Sequence, residues 1–512
     1  MNVLYTAEDH FVVLPGLLLA VFACAVLLFE AFLKDPARRA RWSFTITLCG
    51  LGFTAIALLR QHRFFHGAER QALAGFQGAL VVDFFSLAFN WIILAASVLA
   101  VLGAWRAFDE EEPAKHTGDF YGLLLLSHCG MFLLASSTEL VTLFLGLELM
   151  SVPIYVLVSF RRGDRAAEAA MKYLLLGAFS SGVLLFGFSL LYGLAGSTYL
   201  SAIAQAVVDR GVFDPAVFCA ILAVSAGLLF KVGAVPFHTW APDAYQGAHA
   251  VVAAFLSAAS KAASFSILLR LATALDSAES LWRPALITAA ILSLTLGNLA
   301  AMTQQNAQRL LAYSSIAHTG YVLLAVVANN AIGMSGVLVY LMAYALMSAG
   351  AFLIVAAVRR PGATRALAAG AGGGPTTVAV TAVGRQPAEQ LDDLAGLFHV
   401  RPFYAIAMLI FLLALAGIPP TAGFLAKYFV FAALLEAGQY TLAAVAAVYV
   451  AVALYYYFRI VKRMFMRAPA EGLSTSRNKP LDAAIVLSLL GTLILGLYPE
   501  PLLQLMQLRG GL

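Results

Sequence analysis

Three observations predict an all-α, polytopic membrane protein. The chain is 62% hydrophobic, with a mean hydropathy of +0.86, and only 12% of its 512 residues are charged. A soluble core of this length could not hide so much apolar surface. The apolar residues gather into runs of about 18 residues or more, which suits helices crossing a bilayer and is too long for barrel strands. In hydrocarbon every backbone N–H and C=O must be paired within its own segment, and a helix does this.

The runs lay out as about fourteen spans, roughly at 11–32, 43–60, 82–105, 119–136, 139–160, 171–195, 216–240, 248–275, 284–303, 309–328, 335–357, 404–434, 439–460 and 481–499. They divide the chain into three leading helices (1–118), a first block of five (119–275), a second block of five (284–460) and a closing helix with its tail (461–512). The longest connection, 358–402, contains the tract Ala-Gly-Ala-Gly-Gly-Gly-Pro (369–375), which predicts flexible backbone. Its end, 390–398, is expected to form a short surface helix.

Charge sets the direction of the spans. The chain has 32 Lys and Arg. Four of these are lysines inside spans. Seven others (Arg60, Arg63, Arg70, Arg210, Arg270, Arg283 and Arg509) lie toward the ends of even-numbered spans or after them. All the rest fall in connections after odd-numbered spans, which the positive-inside rule puts in the cytoplasm. Both termini are then expected on the outer face. The net charge of +5 reflects this asymmetry and contact with anionic lipid heads, not nucleic acid. Met1 to His10 lacks the basic start of a cleaved signal.

The ionisable residues inside the spans are the most informative, because a charge at bilayer depth is costly. Glu148 lies in the fifth span and Lys172 opens the sixth. Two pairings are open to Glu148: with Lys172 on the neighbouring helix, or with Lys231. Lys231 ends the first part of the seventh span, where a cation favours a half-helix C-terminus. Lys261 sits in mid-span among small residues, in Leu-Ser-Ala-Ala-Ser-Lys-Ala-Ala-Ser (256–264). Small neighbours leave room for water and close helix packing. Lys261 has no carboxylate near it in sequence, as a lysine that must shed a proton requires. Lys427 follows a second interruption in the twelfth span. His238, in the first interruption, is placed to relay protons between Lys231 and Lys261, since imidazole titrates near neutrality. His318 is the similar candidate in the second block, with Tyr313 and Tyr340 beside the same path. His128 reads as a structural core histidine. Asp83 and Glu139 lie near span ends, facing headgroups or a channel mouth. Asp243 and Asp393 are loop-side candidates for partner contacts.

The two interruptions read alike. One is Phe-Lys-Val-Gly-Ala-Val-Pro-Phe-His-Thr-Trp-Ala-Pro-Asp-Ala-Tyr (230–245) and the other is Leu-Ala-Gly-Ile-Pro-Pro-Thr-Ala-Gly-Phe-Leu-Ala-Lys-Tyr (415–428). Proline removes a backbone donor and breaks the helical ladder. Freed backbone groups at membrane depth are tolerated only inside a bundle or along a polar cavity. The two sit five spans apart, so the copies point in opposite directions, as in transporters with inverted repeats.

Other chemistry finds no support. Cys24, Cys49, Cys129 and Cys219 are scattered without a CxxC, so neither a metal site nor disulfides are expected. No nucleotide fingerprint or Walker motif occurs. Any redox cofactor must belong to a partner.

Several stretches together resemble the antiporter-like membrane subunits of respiratory complex I, nearest the subunit-N branch related to mitochondrial subunit 2. They are Gly-Leu-Glu-Leu-Met-Ser-Val-Pro (146–153), Ala-Ala-Met-Lys-Tyr-Leu-Leu-Leu-Gly-Ala-Phe-Ser-Ser-Gly (169–182), Lys-Val-Gly-Ala-Val-Pro-Phe-His-Thr-Trp-Ala-Pro-Asp-Ala-Tyr (231–245), Gly-Asn-Leu-Ala-Ala-Met-Thr-Gln-Gln-Asn (297–306), Arg-Leu-Leu-Ala-Tyr-Ser-Ser-Ile-Ala-His-Thr-Gly-Tyr (309–321) and Leu-Ala-Gly-Ile-Pro-Pro-Thr-Ala-Gly-Phe (415–424). The resemblance implies fourteen helices, two inverted five-helix repeats and discontinuous helices 7 and 12. It also implies a central charged axis on Glu148, Lys172, Lys231, His238, Lys261 and Lys427. The implied function is proton translocation in a bacterial inner-membrane NADH–quinone oxidoreductase. NADH, FMN, iron–sulfur clusters and quinone would lie in partner subunits, among them neighbouring antiporter-like subunits. A cation/proton antiporter or membrane-bound hydrogenase subunit shares these features, and a non-pumping scaffold is the other alternative. The family usually carries Pro-Thr-Pro-Val before the eighth helix. Here 247–252 reads Gly-Ala-His-Ala-Val-Val, so that helix is expected to start differently.

Overall fold

The computed structural model describes residues 5–67, 72–105, 107, 117–161, 163–361, 364–366, 380–382, 385–476 and 478–500. The glycine-rich tract at 369–375 and the last twelve residues lie outside them.

Among the described residues, thirteen helices are long and apolar enough to cross a membrane. The chain opens with α1 (Ala7–Phe32), α2 (Pro36–Gly67), α3 (Phe84–Ala104), α4 (Thr117–Ser136), α5 (Leu140–Ser159) and α6 (Asp164–Ala195). A short helix that the sequence reading omitted, α7 (Leu200–Arg210), precedes α8 (Pro215–Val232). The expected first break follows. The chain turns through 233–239 and resumes as the two-turn α9 (Trp240–Gly247). The next span is α10 (Ala250–Phe255), a widened π turn at Leu256–Ser260, and α11 (Lys261–Ala274). It starts at His249, whose ring accepts from the Val251 N–H as an N-cap at 3.3 Å. Histidine therefore supplies the cap at the point where a proline stretch was missing.

The second half runs α12 (Glu279–Thr303), α13 (Ala307–Val327) and α14 (Ala331–Ala357), then, after the long connection, the single-turn α15 (Leu397–Val400). The stretch read as one span at 404–434 is two shorter helices, α16 (Pro402–Ala416) and α17 (Ala422–Glu436). The chain closes with α18 (Tyr440–Met466) and α19 (Lys479–Leu497).

Both breaks end their first half-helix in the same way. Gly233 and Gly417 stand at the C-caps of α8 and α16 with φ of +72° and +87°. That left-handed conformation suits glycine and ends a helix. Burial is greatest along α10–α11, α13 and α14, which form the centre of the bundle. α1, α6, α18 and α19 present broad apolar faces outward, as a lipid-facing or partner-facing rim requires.

Short strands add detail outside the helices. β1 (Ala72–Gly75) and β2 (Leu80–Asp83) form a hairpin before α3. β3 (Val358–Pro361) pairs with both β6 (Arg385–Pro387) and β7 (Ser474–Thr475), and β4 (Thr364–Ala366) pairs with β5 (Val380–Ala382). The expected surface helix at 390–398 is instead a 3₁₀ turn at Leu391–Leu394 followed by α15. It is stitched onto the start of α13 through Leu391 N–H to Gln305 O and Ala307 N–H to Glu389 O, both 2.8 Å.

Candidate functional site

Three of the four lysines read from the sequence lie in the interior, each less than a tenth exposed: Lys231, Lys261 and Lys427. Each is solvated by neutral oxygen atoms. The Lys231 ammonium donates to the Ser151 hydroxyl at 3.1 Å and to the Tyr155 hydroxyl at 3.4 Å. Ser151 and Tyr155 stand three and seven residues beyond Glu148 on α5, so all three share one helix face. Glu148 is half-buried. Its Oε1 is fully enclosed and accepts no hydrogen bond, and no direct ion pair reaches it among the described residues.

Lys261 begins α11 directly after the π turn. Such turns shift the register of the residues that follow and recur at functional sites. Its three N–H groups meet three acceptors: the Ser315 carbonyl at 2.7 Å, the Ser315 hydroxyl at 2.5 Å and the Thr319 hydroxyl at 2.8 Å. The Tyr344 ring lies 5.1 Å from Nζ, within cation–π range. Thr319 in turn donates to the Val232 carbonyl at 3.0 Å, next to Lys231. Between the two lysines is a cavity of about 10 Å³, room for roughly one water. Trp240, Tyr245, Ser260 and Ser315 line it together with both lysines.

The line continues through His318. Its Nδ1 lies 2.6 Å from the Tyr340 hydroxyl and its Nε2 lies 3.2 Å from the Tyr457 hydroxyl, which also meets the Ser314 hydroxyl at 2.5 Å. Tyr321, one turn along α13, places its ring 5.0 Å from the Lys427 ammonium. Lys427 donates to the carbonyls of Leu415 at 3.1 Å and Ala416 at 2.7 Å. These are C-terminal carbonyls of α16, left without partners by the break, where the helix dipole favours a cation.

Other expectations need correction. The Glu148–Lys172 pair is not formed. The Lys172 side chain is 49% exposed and bonds to Glu168, one turn back on α6, at 2.7 Å and to Asp243 at 3.2 Å. A lysine facing outward from α6 finds these carboxylates first. Asp243 is not free for a partner, because its other oxygen accepts from Arg309 at 2.6 Å. Asp393 is likewise occupied, by the N–H groups of Glu389 and Gln390. His238 lies half-exposed in the 233–239 turn, with Nδ1 enclosed and unbonded, and is not in the wall of the cavity between the lysines. Tyr313 lies beneath the Arg309 guanidinium and not beside His318. Asp83 is held by Arg270 at 3.2 Å, and Glu139 caps α5 through the Thr142 N–H at 2.7 Å. His128 is buried in α4, as a core histidine would be.

The sequence reading missed the neutral groups that complete the line: Ser151, Tyr155, Ser315, Thr319, Tyr321, Tyr344 and Tyr457. Helical spacing could have found Ser151 and Tyr155 from Glu148. Spacing could also have found Ser315 and Thr319, which flank His318. Tyr457 joins His318 from 139 residues away, and nothing local signals that. No group of His, Cys, Asp or Glu suited to a metal occurs among the described residues.

Comparison with known proteins shows the family. Residues 137–453 match a family model described as NADH:quinone oxidoreductase/Mrp antiporter, transmembrane. A NADH-quinone oxidoreductase subunit N 2 from Solibacter usitatus is 48% identical over 99% of this chain and 98% of its own length. A subunit N 1 from Koribacter versatilis is 41% identical over 98% of this chain and 95% of its own. A chain of respiratory complex I from Thermus thermophilus superposes with a TM-score of 0.78 at 33% identity, covering 96% of this chain and 98% of that one.

Proposed function

This chain belongs to the NADH:quinone oxidoreductase/Mrp antiporter family of membrane proteins, and from that premise we propose how it moves protons. It is a membrane subunit of NADH-quinone oxidoreductase, part of a respiratory translocase, and it assembles with other membrane-embedded subunits. We infer that this chain performs no redox step. NADH, FMN, iron–sulfur clusters and quinone are handled by its partners, and this subunit turns their reaction into proton transfer across the bacterial inner membrane.

The observation that carries the reading is the line of lysines. Lys231, Lys261 and Lys427 are buried, and their bonded partners are all neutral. A carboxylate in contact would pin each proton in place. Hydroxyls and carbonyls solvate the ammonium without doing so. A proton entering from the cytoplasm reaches Lys231 and Lys261 and crosses between them through the one-water cavity. It then passes along Thr319, His318 and the tyrosine hydroxyls toward Lys427 and leaves outward. Glu148, poised on the Ser151–Tyr155 face, modulates Lys231 by approaching or withdrawing. Lys172 and His238 stand at the approach to this line.

We also propose that α16 and α17 count as one crossing, giving fourteen, with helices 4–8 and 9–13 forming two inverted repeats. The matching glycine C-caps at the two breaks support this. Both termini then face outward, with the connections rich in arginine in the cytoplasm.

The test is quinone-linked proton pumping in membrane vesicles carrying Lys231→Ala or Lys261→Ala, with NADH oxidation by an artificial acceptor as the measure of assembled complex. Lost pumping and quinone reduction with normal assembly is the expected result. Normal pumping would leave the lysines as static charges and the chain as a scaffold.

A further inference from the structure

We propose that Asp243 is a positioning residue. Its two ion pairs hold the half-helix α9 closed over the cavity between Lys231 and Lys261, and water reaches that cavity from the cytoplasmic side when they loosen. The inference depends on the reading above for what the cavity does, but not for whether α9 covers it.

α9 has two faces with different neighbours. Ala241 and Tyr245, four residues apart, lie on one side and line the cavity together with Trp240. Asp243 falls between them in sequence and so points to the opposite side, where Lys172 of α6 and Arg309 of α13 meet its two oxygens at 3.2 and 2.6 Å. Arg309 also donates to Gln246 at 3.0 Å. The wall of the cavity and the ion cluster are thus two sides of one short rod.

The position of that rod depends on such ties. An isolated helix of two turns does not hold together in water, so tertiary contacts must support α9. Its first residue is tied to α8 by the Trp240 indole, which donates to the Phe230 carbonyl at 3.0 Å. At its other end the Gln308 amide donates to the carbonyls of Tyr245 and Ala248 at 3.0 and 3.1 Å. Gly247 lies so close to α6 that a Cβ there would fall 2.3 Å from the Ala169 Cβ. These ties are neutral and mostly buried. The Asp243 ties are ionic, and the side chains of Asp243, Arg309 and Lys172 are 31%, 29% and 49% exposed. Half-exposed ion pairs are the weakest of the set and the most open to screening. They are the contacts that release first. The same helix α13 that grips Asp243 through Arg309 grips Lys261 through Ser315 and Thr319, so loosening of the lid is felt at the lysine.

The experiment uses the assembled complex in inverted vesicles, cytoplasmic face outward. Ala241→Cys places a thiol on the cavity side of α9. A membrane-impermeant maleimide is added, and uptake by the parent chain, with its four native cysteines, is subtracted. The expected result is slow labelling of Ala241→Cys alone, labelling about tenfold faster when Asp243→Asn is added, and slow labelling again with Asp243→Glu, which keeps the charge. Equal rates for all three overturn the proposal. Should Asp243→Asn fail to assemble, labelling of Ala241→Cys alone is followed as salt rises from about 0.05 to about 0.5 M. A rate that climbs with salt, relative to free cysteine, supports the lid, and a flat rate overturns it. These rates report cover and not pumping. A failure of the lysine variants to disturb pumping would sink the proton-path reading and leave this result standing.

Discussion

Replacing Gly417 by alanine tests the Lys427 station most sharply, because the new methyl group collides with the lysine itself. A Cβ at Gly417 would stand 2.7 Å from Lys427 Cδ and 3.2 Å from Nζ. Gly417 also holds φ at +87°, which costs an L-residue roughly 1–2 kcal/mol. To make room, the ammonium must leave the carbonyls of Leu415 and Ala416, and hydrogen bonds to a charged group contribute about 1.5–3 kcal/mol each. Losing one of the two lowers occupancy of the native position by on the order of 10–100-fold. Gly438→Ala is the control. Its φ is +67°, but nothing lies within 4 Å of the added carbon, so it carries the backbone strain without the collision. The assay is quinone-linked proton uptake by inverted vesicles, divided by artificial-acceptor NADH oxidation. Gly417→Ala is expected to fall below about a tenth of the parent rate, and Gly438→Ala to stay near it. Equal losses in the two variants, or normal uptake by Gly417→Ala, would refute the argument that Lys427 must sit on the end of α16.

Three further outcomes follow from the geometry. Lys172→Ala should reduce pumping far less than Lys231→Ala in the same vesicle assay, because Lys172 is half exposed and stands outside the buried line. Thr319→Val keeps the shape of the side chain and removes the hydroxyl between Lys261 and the Val232 carbonyl. With about 1.5–3 kcal/mol of charge-assisted bonding lost, turnover with quinone should drop about tenfold at unchanged assembly. Glu389→Gln concerns the long connection between α14 and α16. Burial works to raise the Glu389 carboxyl, but the Arg161 hydrogen bond at 2.5 Å and the charges of Arg161, Arg165 and Arg360 outweigh it and hold the group below its ordinary range. A depressed carboxyl stabilises the fold above its unfolded pKa of about 4.3, and the gain is lost as pH falls through the lower folded value. Glu389→Gln should therefore lower thermal stability at pH 7, by about 1–3 kcal/mol, and the gap from the parent should close below about pH 4. A gap that persists in acid would mean that the carboxylate charge is not what holds this segment.

Composition and apolar run lengths were enough to read the helical membrane fold, since hydrocarbon leaves the backbone few options. The two breaks were legible for the same reason: Gly233, Pro236, Gly417 and Pro419 cannot sit quietly in a continuous helix. Lys231, Lys261 and Lys427 stood out because a charge in an apolar run needs an explanation. Partners were harder to read. Lys172 stood at the start of a span, and the sequence could not show that it turns outward, since the direction of a side chain on α6 depends on which face α8 and α9 cover. The π turn before Lys261 left no trace in the sequence, because Leu256–Ser260 suits an ordinary α-helix equally well. Tyr457 and Tyr344 reach the line from distant helices, and only tertiary packing brings them there.

One helix meets nearly every station of the site. Over the thirteen residues from Arg309 to Tyr321, about 18 Å of rise, α13 holds the Asp243 pair, both hydroxyl partners of Lys261, the imidazole of His318 and the ring beneath Lys427. Parts fixed to a single rigid shaft cannot be timed independently. A small axial slide or roll of α13 would alter the surroundings of Lys261, His318 and Lys427 in the same instant and in fixed proportion. A push at one end of the row would thus reach the surroundings of all three together.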